Sequence, residues 1–506
     1  MAESCSQREV ISAVTLRLKS DAIMLDTGQR AMGGQDEPAV QHPAISSETL
    51  GSSEFRKQHR VRYAYVSGAM YKGIASADLV IRMGKAGLLG YFGTGGLSLA
   101  RIDEAILKIQ GALSRVESFG MNLLCNLIKP ELEDATVDLY FRRGIHRVEA
   151  AAYTQITPSL VRYRLRGISK APNGSIVIPN KVLAKVSRPE VTTQFLSPPP
   201  ERIVQKLLDA GSITLEESAL ARHIPMSEDV CVEADSAGHT DNGVAFALMP
   251  VMLRLRDEAM VQHRYAERIR VGAAGGIGTP HAVAAAFILG ADFVLTGSIN
   301  QCTVEAGTSD LAKDLLAAAN VQDTEMAPAG DMFEIGAKVQ VLKKGLFFPA
   351  RANKLYELYR QYDSLEQIDE KTRAQIESRY FKRSFEEVYK ETKDFYLSVA
   401  PEQIEKAEKN PKQKLALILR WYFVHSNRLA LKGIADQKVD FQIHCGPAMG
   451  AFNQWVKGTR YEDWRNRHVD EIAHMLMSGA ASILCQRFLQ LQGIAEEFAS
   501  SNKLAS

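Results

Sequence analysis

"VGAAGGIGTPHAVAAAFILGADFVLTGSIN" (Val271–Asn300) puts a glycine cluster, an alanine-rich helical stretch, a short apolar run and a Gly-Ser pair in one line. Gly275, Gly276 and Gly278 follow an apolar run and precede Thr279-Pro280, and proline at a first helical position loses no hydrogen bond there. Backbone amides in such a turn approach an anion closely, and the start of the helix adds partial positive charge. The spacing is not the dinucleotide fingerprint, because the third glycine would fall at position 281, which is His281, and no Lys-Ser/Thr of a P-loop follows. Gly297-Ser298 ends the next apolar run. Two successive turns of this kind match the barrel arrangement in which the loops after strands seven and eight share one phosphate.

Working outward from this stretch, eight short apolar runs end near Gly, Asn or Ser: 61–68, 87–93, 120–126, 145–153, 181–187, 229–236, 268–276 and 291–298. Segments with helical spacing lie between them, at 74–87, 99–118, 131–144 and 280–290. Alternation of this kind implies parallel strands joined by right-handed crossovers. Eight repeats predict an α/β chain with a (β/α)8 TIM barrel rather than an open doubly wound sheet.

The organisation then reads as follows. Residues 1–55, rich in Gly, Ser, Gln and acidic residues, form a partly ordered lead-in segment. The barrel occupies 56–350. Residues 351–437, charged and aromatic without β-branched runs, form an appended or inserted helical subdomain whose charges read mainly as a solvated face. Residues 438–506 form a C-terminal segment packing back on the barrel.

The net charge of +2 comes from 61 basic and 59 acidic residues, so no global field draws the chain to nucleic acid or to an anionic membrane. Six cysteines, at 5, 125, 231, 302, 445 and 485, show neither zinc spacing nor a disulfide framework. The expectation is a cytoplasmic protein without a metal centre. The start "MAESCSQREV" lacks a basic end followed by an apolar stretch, and no run approaches the roughly 18 apolar residues of a membrane span.

With the phosphate grip in place, the chain resembles the FMN-dependent barrel enzymes of the nitronate monooxygenase and enoyl reductase superfamily. More closely it is similar to the trans-acting enoyl reductases that serve polyketide and polyunsaturated fatty acid synthases. The residues carrying this are "SGAMYKGIAS" (67–76), "MGKAGLLGYFG" (83–93), "GMNLLCN" (120–126), "EADSAGHTDN" (233–242), the stretch 272–310 and "HCGPAMGAFNQWVKGT" (444–459). The resemblance covers about residues 60 to 480.

It implies that Ala69 and Met70 lie against a flavin ring, that Asn122 hydrogen-bonds it, and that Gly275, Gly276, Gly278, Gly297 and Ser298 hold the FMN phosphate. His239 falls where the nitronate monooxygenase pattern G-G-H-x-G places a catalytic histidine, although the pattern here reads Ala237-Gly238-His239-Thr240-Asp241. Its ordinary pKa range suits proton transfer near neutrality, and Asp235, Asp241 and Asn242 flank it. The implied activity is hydride transfer from NADPH through FMN to an α,β-unsaturated thioester on acyl carrier protein domains of a multienzyme synthase. The alternative is a nitronate monooxygenase-like flavin oxidase. A homodimer is allowed without being required.

Three other features carry weaker readings. Cys302 lies four residues past Ser298, two farther than the nucleophilic cysteine of the inosine monophosphate dehydrogenases, and reads as an incidental buried thiol. His444-Cys445 has no metal spacing and reads as structural. Lys343, Lys344, Arg351 and Lys354 form a local basic cluster, which is either solvated surface or a patch for an acidic carrier protein.

Overall fold

The structure, a computed structural model, describes residues 45–491 apart from 115 and 128, together with the strands Arg17–Lys19 and Ala22–Met24. Most of the lead-in segment therefore lies outside the described residues. Eight parallel strands close into a barrel: β1 (Tyr65–Ser67), β2 (Leu89–Phe92), β3 (Gly120–Leu124), β4 (Arg147–Ala151), β5 (Lys181–Val186), β6 (Asp229–Glu233), β7 (Arg270–Ala274) and β8 (Val294–Thr296). Each falls inside one of the eight runs read from the sequence. β8 pairs with β1 through Val294 and Tyr65, which closes the ring.

Because side chains alternate along a strand, every second residue faces the barrel interior. Ala64, Val66, Leu89, Tyr91, Leu183, Cys231, Phe293 and Leu295 form this inner core. A short helix, Ser53–His59, plugs its lower end. Phe55 stacks on Phe293 with ring centroids 4.5 Å apart, and His59 Nε2 lies 2.7 Å from Asp229 Oδ2. Arg270 grips the same carboxylate through Nε at 2.6 Å and Nη2 at 3.0 Å. Burial alone would raise the Asp229 pKa, but Arg270 and His59 outweigh it and hold the carboxyl below its ordinary range.

Two additions shape the upper, C-terminal end. Strands β9 (Thr324–Pro328) and β10 (Lys338–Leu342), which the apolar pattern does not announce, pair antiparallel. The two-residue strand Gly238–His239 joins β10 on its other side. The tail runs against this small sheet too, with Leu342 N–H donating to Ile443 O at 2.9 Å. The helical region then builds its own core, in which Phe348, Phe381, Phe385, Trp421, Tyr422 and Phe423 are buried. Its long helix, Pro411–Lys432, starts on an Asn410 cap with proline at the first turn and stops at Gly433, whose φ is 68°.

The C-terminal helix Val469–Leu491 packs along Pro280–Ile288 of the barrel, burying Ile472, Leu476, Met477 and Ala480 in a shared core. By length and composition it is apolar enough to cross a membrane, which amends the reading that no run approaches that length. Its apolar face is spent against the barrel.

Candidate active site

Both halves of the glycine grip come together at the upper end of the barrel. Gly275 and Gly276 have φ of 83° and 70°, the left-handed region that glycine enters freely. A Cβ on Gly275 would stand 2.6 Å from Ala234 C, whereas Cβ atoms built on Gly276 and Gly297 meet nothing within 4 Å. Open space bordered by backbone therefore faces these two glycines, as a bound phosphate requires. Thr279 caps the following helix, its side chain accepting from Ala282 N–H, and Pro280 takes the first turn as predicted. Gly278 has another neighbour: its Cβ would lie 2.2 Å from Ala448 O, so it is the contact point for the tail helix Pro447–Trp455. Ser298 Oγ accepts from Gly446 N–H at 3.2 Å, just before that helix.

The residues expected beside a flavin ring follow β1, which pairs with β8, and lie in β3. Ala69 packs on the inner core, and its N–H donates to Glu149 Oε2 at 3.0 Å. Met70 crosses Gly93, where a Cβ would strike the Met70 carbonyl oxygen. Asn122 is buried and donates through Nδ2 to Glu149 O at 2.9 Å, so its amide is fixed in orientation. Small residues on one side and polar groups on the other leave a floor suited to a flat heteroaromatic ring. The glycine cradle and this floor fit FMN.

Below the floor lies a charged cluster that the sequence analysis did not single out. Lys185 Nζ is 3.1 Å from Glu233 and 4.0 Å from Glu149, all three pointing inward from adjacent strands. Burial opposes the Lys185 ammonium, but Glu233 and Glu149 hold it charged. Glu149, in contrast, is pushed up to about 7 by burial, with Lys185 only partly offsetting it. One ammonium between two carboxylates leaves room for one further proton. Alternating charged residues inside short strands are the signal that would have found this cluster.

His239 stands six residues beyond the end of β6, on the added sheet rather than at the barrel strand's end, with its side chain 48% exposed. The acids flanking it in sequence are engaged elsewhere: Asp241 with Arg188 and Ser187, and Asp235 with Asn242. Its partner is Asp331, 3.2 Å from Nε2. That hydrogen bond raises the His239 pKa against the effect of burial. Sequence reading missed Asp331 because the pairing spans 92 residues and depends on the added sheet.

His444 is placed here as well. It is half-buried beside Gly238, its Nε2 is 3.0 Å from the Gln442 amide, and Tyr71 stacks over it at 6.5 Å. Burial first, and then the nearby His239 charge, push its pKa down to about 4, so it is neutral at ordinary pH.

The remaining candidates fall away from the mouth. Cys302 is buried with its thiol pushed up to about 11 by burial, and its sulfur meets Lys313 O and Arg467. The basic cluster is dispersed: Arg351 forms an interior ion pair with Asp440, Lys354 pairs with Glu357, and Lys344 donates to Ala318 O. Among the described residues no group of acidic, histidine and cysteine side chains forms a metal site.

Comparison with known proteins gives this geometry its class. The nitronate monooxygenase family profile matches residues 53–344, and the chain belongs to that family, an oxidoreductase class. A second profile, the inserted helical domain of acyl-carrier-protein S-malonyltransferase, matches residues 362–441. Within this frame the chain is 57% identical to the polyketide biosynthesis protein PksE of Bacillus subtilis over 443 residues, 88% of this chain and 57% of that protein. It is 46% identical to a polyunsaturated fatty acid synthase polypeptide of a Thraustochytrium species over 414 residues, 81% of this chain and 28% of that protein. The chain thus spans less than two thirds of either relative. The crystal structure of the enoyl reductase domain of MlnA, from the macrolactin biosynthesis cluster of Bacillus amyloliquefaciens, superposes with a TM-score of 0.85 at 44% identity, covering 88% of this chain and 99% of that one.

Proposed function

We propose that this chain is a trans-acting enoyl reductase that reduces the α,β double bond of acyl-carrier-protein-bound enoyl thioesters with NADPH and FMN, in polyketide or polyunsaturated fatty acid assembly. The observation that carries the reading is the likeness, along nearly the whole of that domain, to the MlnA enoyl reductase domain. The open cradle at Gly276 and Gly297 supports it.

Gly275, Gly276, Gly297 and Ser298 would hold the FMN phosphate, with Ala69, Met70 and Asn122 bordering the ring. When bound, FMN supplies two-electron hydride chemistry between a nicotinamide and an alkene. The chain's own residues do the rest. The added sheet and the tail close over the mouth and limit water. Asp331 favours the protonated form of His239 through Nε2, leaving Nδ1 outside that ion pair as the nitrogen from which a proton would reach the substrate α-carbon. Neutral His444 and the Gln442 amide supply donors for negative charge developing on the thioester oxygen.

The test is anaerobic consumption of NADPH by the FMN-loaded protein on addition of an enoyl thioester carried on an acyl carrier protein. Turnover without oxygen supports the proposal. Turnover only with oxygen and a nitronate assigns the chain to the oxidase chemistry of its family's name instead.

A further inference from the structure

β1 and β8 run side by side up to the mouth and part there. Val294, Leu295 and Thr296 pair with Tyr65, Val66 and Ser67, and Gly68 N–H donates to Thr296 O at 3.0 Å, one step further along. Beyond this fork one strand leads into Ala69 and Met70 and the other into Gly297 and Ser298. A side chain outside both stretches staples the fork. Asn300, in the turn Ser298–Cys302, donates through Nδ2 to Ser67 Oγ at 2.9 Å, to Thr296 Oγ1 at 2.9 Å and to Thr296 O at 3.2 Å. Tyr65 Oη shares Thr296 Oγ1 at 2.5 Å. Tyr65, Ser67 and Asn300 are fully buried and Thr296 is nearly so. A polar network sealed from water holds only while its members keep their partners. Asn300 Oδ1 has none among the described residues, a cost that the donations across the fork must offset.

The backbone of the same residue acts on the cradle. Asn300 N–H donates to Gly297 O at 2.9 Å, and Gln301 N–H reaches that oxygen at 3.3 Å. In a trans peptide the C=O and the following N–H point opposite ways, so Ser298 N–H faces away from the turn, as an anion-binding amide must. The side chain of Asn300 thus holds the ring side of the site and its main chain the phosphate side. A single ligand has to meet both, and its hydrogen bonds weaken steeply as distance and angle drift.

We propose that Asn300 is a positioning residue, which fixes the spacing between the phosphate turn and the ring floor so that both ends of FMN are held at once. The proposal rests on the FMN reading of the site for its ligand, and its test does not require turnover.

Fluorescence titration of the full chain, stripped of flavin, compares FMN with riboflavin, which has the ring and the sugar chain without the phosphate. The parent protein should prefer FMN. Asn300→Ala should lower that preference about tenfold, the strength of roughly one amide bond to an anion, while riboflavin binding holds within about twofold. Gln301→Ala is the control: it removes a bond of the same turn that does not cross the fork, Nε2 to His444 O at 2.7 Å, and should keep the preference. An unchanged preference in Asn300→Ala overturns the proposal. Equal loss of FMN and riboflavin binding in that variant, or an equal loss of preference in Gln301→Ala, makes Asn300 a structural anchor only and overturns it too. Where Asn300→Ala fails to fold, Ser67→Ala, which removes only the ring-side acceptor, decides by the same signature. A parent protein that binds both flavins alike refutes the phosphate cradle itself and the proposal with it, a result distinct from any change between parent and variant.

Discussion

Replacing Gly297 by alanine separates the phosphate cradle from the fold. The added Cβ meets nothing within 4 Å, and φ at this position is −131°, so the substitution should change stability by less than about 1 kcal/mol. The same methyl group stands where the cradle faces its anion. Amide bonds to a charged acceptor contribute about 1.5–3 kcal/mol each, and losing one lowers affinity by about 10- to 100-fold at roughly 1.4 kcal/mol per decade. Gly278→Ala should do the reverse. Its Cβ would fall 2.2 Å from Ala448 O, and overpacking of that kind costs about 1–3 kcal/mol, loosening the tail helix while the cradle amides stay in place. Fluorescence quenching on FMN titration and urea unfolding of each variant measure the two effects. Gly297→Ala binding FMN within twofold of the parent protein would refute the placement of the phosphate.

Three further outcomes follow from the charged groups. Asp331→Asn removes the bond that raises the His239 pKa, so the alkaline limb of the pH–rate profile should move to lower pH; an unmoved limb excludes His239 as the proton source. In the cofactor-free protein, Glu149 has its pKa raised from 4.5 to about 7. The folded state therefore holds that proton more tightly than the unfolded chain, and stability is present below pH 4.5 and is lost as pH rises toward 7. Glu149→Gln should flatten this loss, which is on the order of 3 kcal/mol, in urea midpoints recorded between pH 4.5 and 7.5. Iodoacetamide applied to the native protein should leave Cys302 unmodified, because its thiol is buried and pushed up to about 11; peptide mass analysis reads the result directly.

The barrel was legible because its causes are local. Apolar runs such as 229–236 and 268–276 are bounded by turn residues, and their alternation with helical spacing dictates parallel strands whatever lies elsewhere in the chain. The glycine grip was legible for the same reason: left-handed φ at Gly275 and Gly276 is a property of the turn itself. His239 was singled out by its pattern, but its surroundings were not legible, since neither sequence-adjacent acid contacts it. Strands β9 and β10 lie outside the eight apolar runs that alternate with helices, and they are what bring Asp331 to His239.

By itself, then, the sequence determined the eight strands of the barrel, the closed α/β architecture and the two turns at the cradle, all set by periodicity and by the conformational range of single residues. Only the tertiary structure decided that Gly278 packs the tail helix, that Glu149, Lys185 and Glu233 share one cluster, and that Tyr71 stacks on His444 beside Gly238. Those choices depend on which groups from distant segments are removed from water together, and burial and charge pairing are properties of the assembled chain.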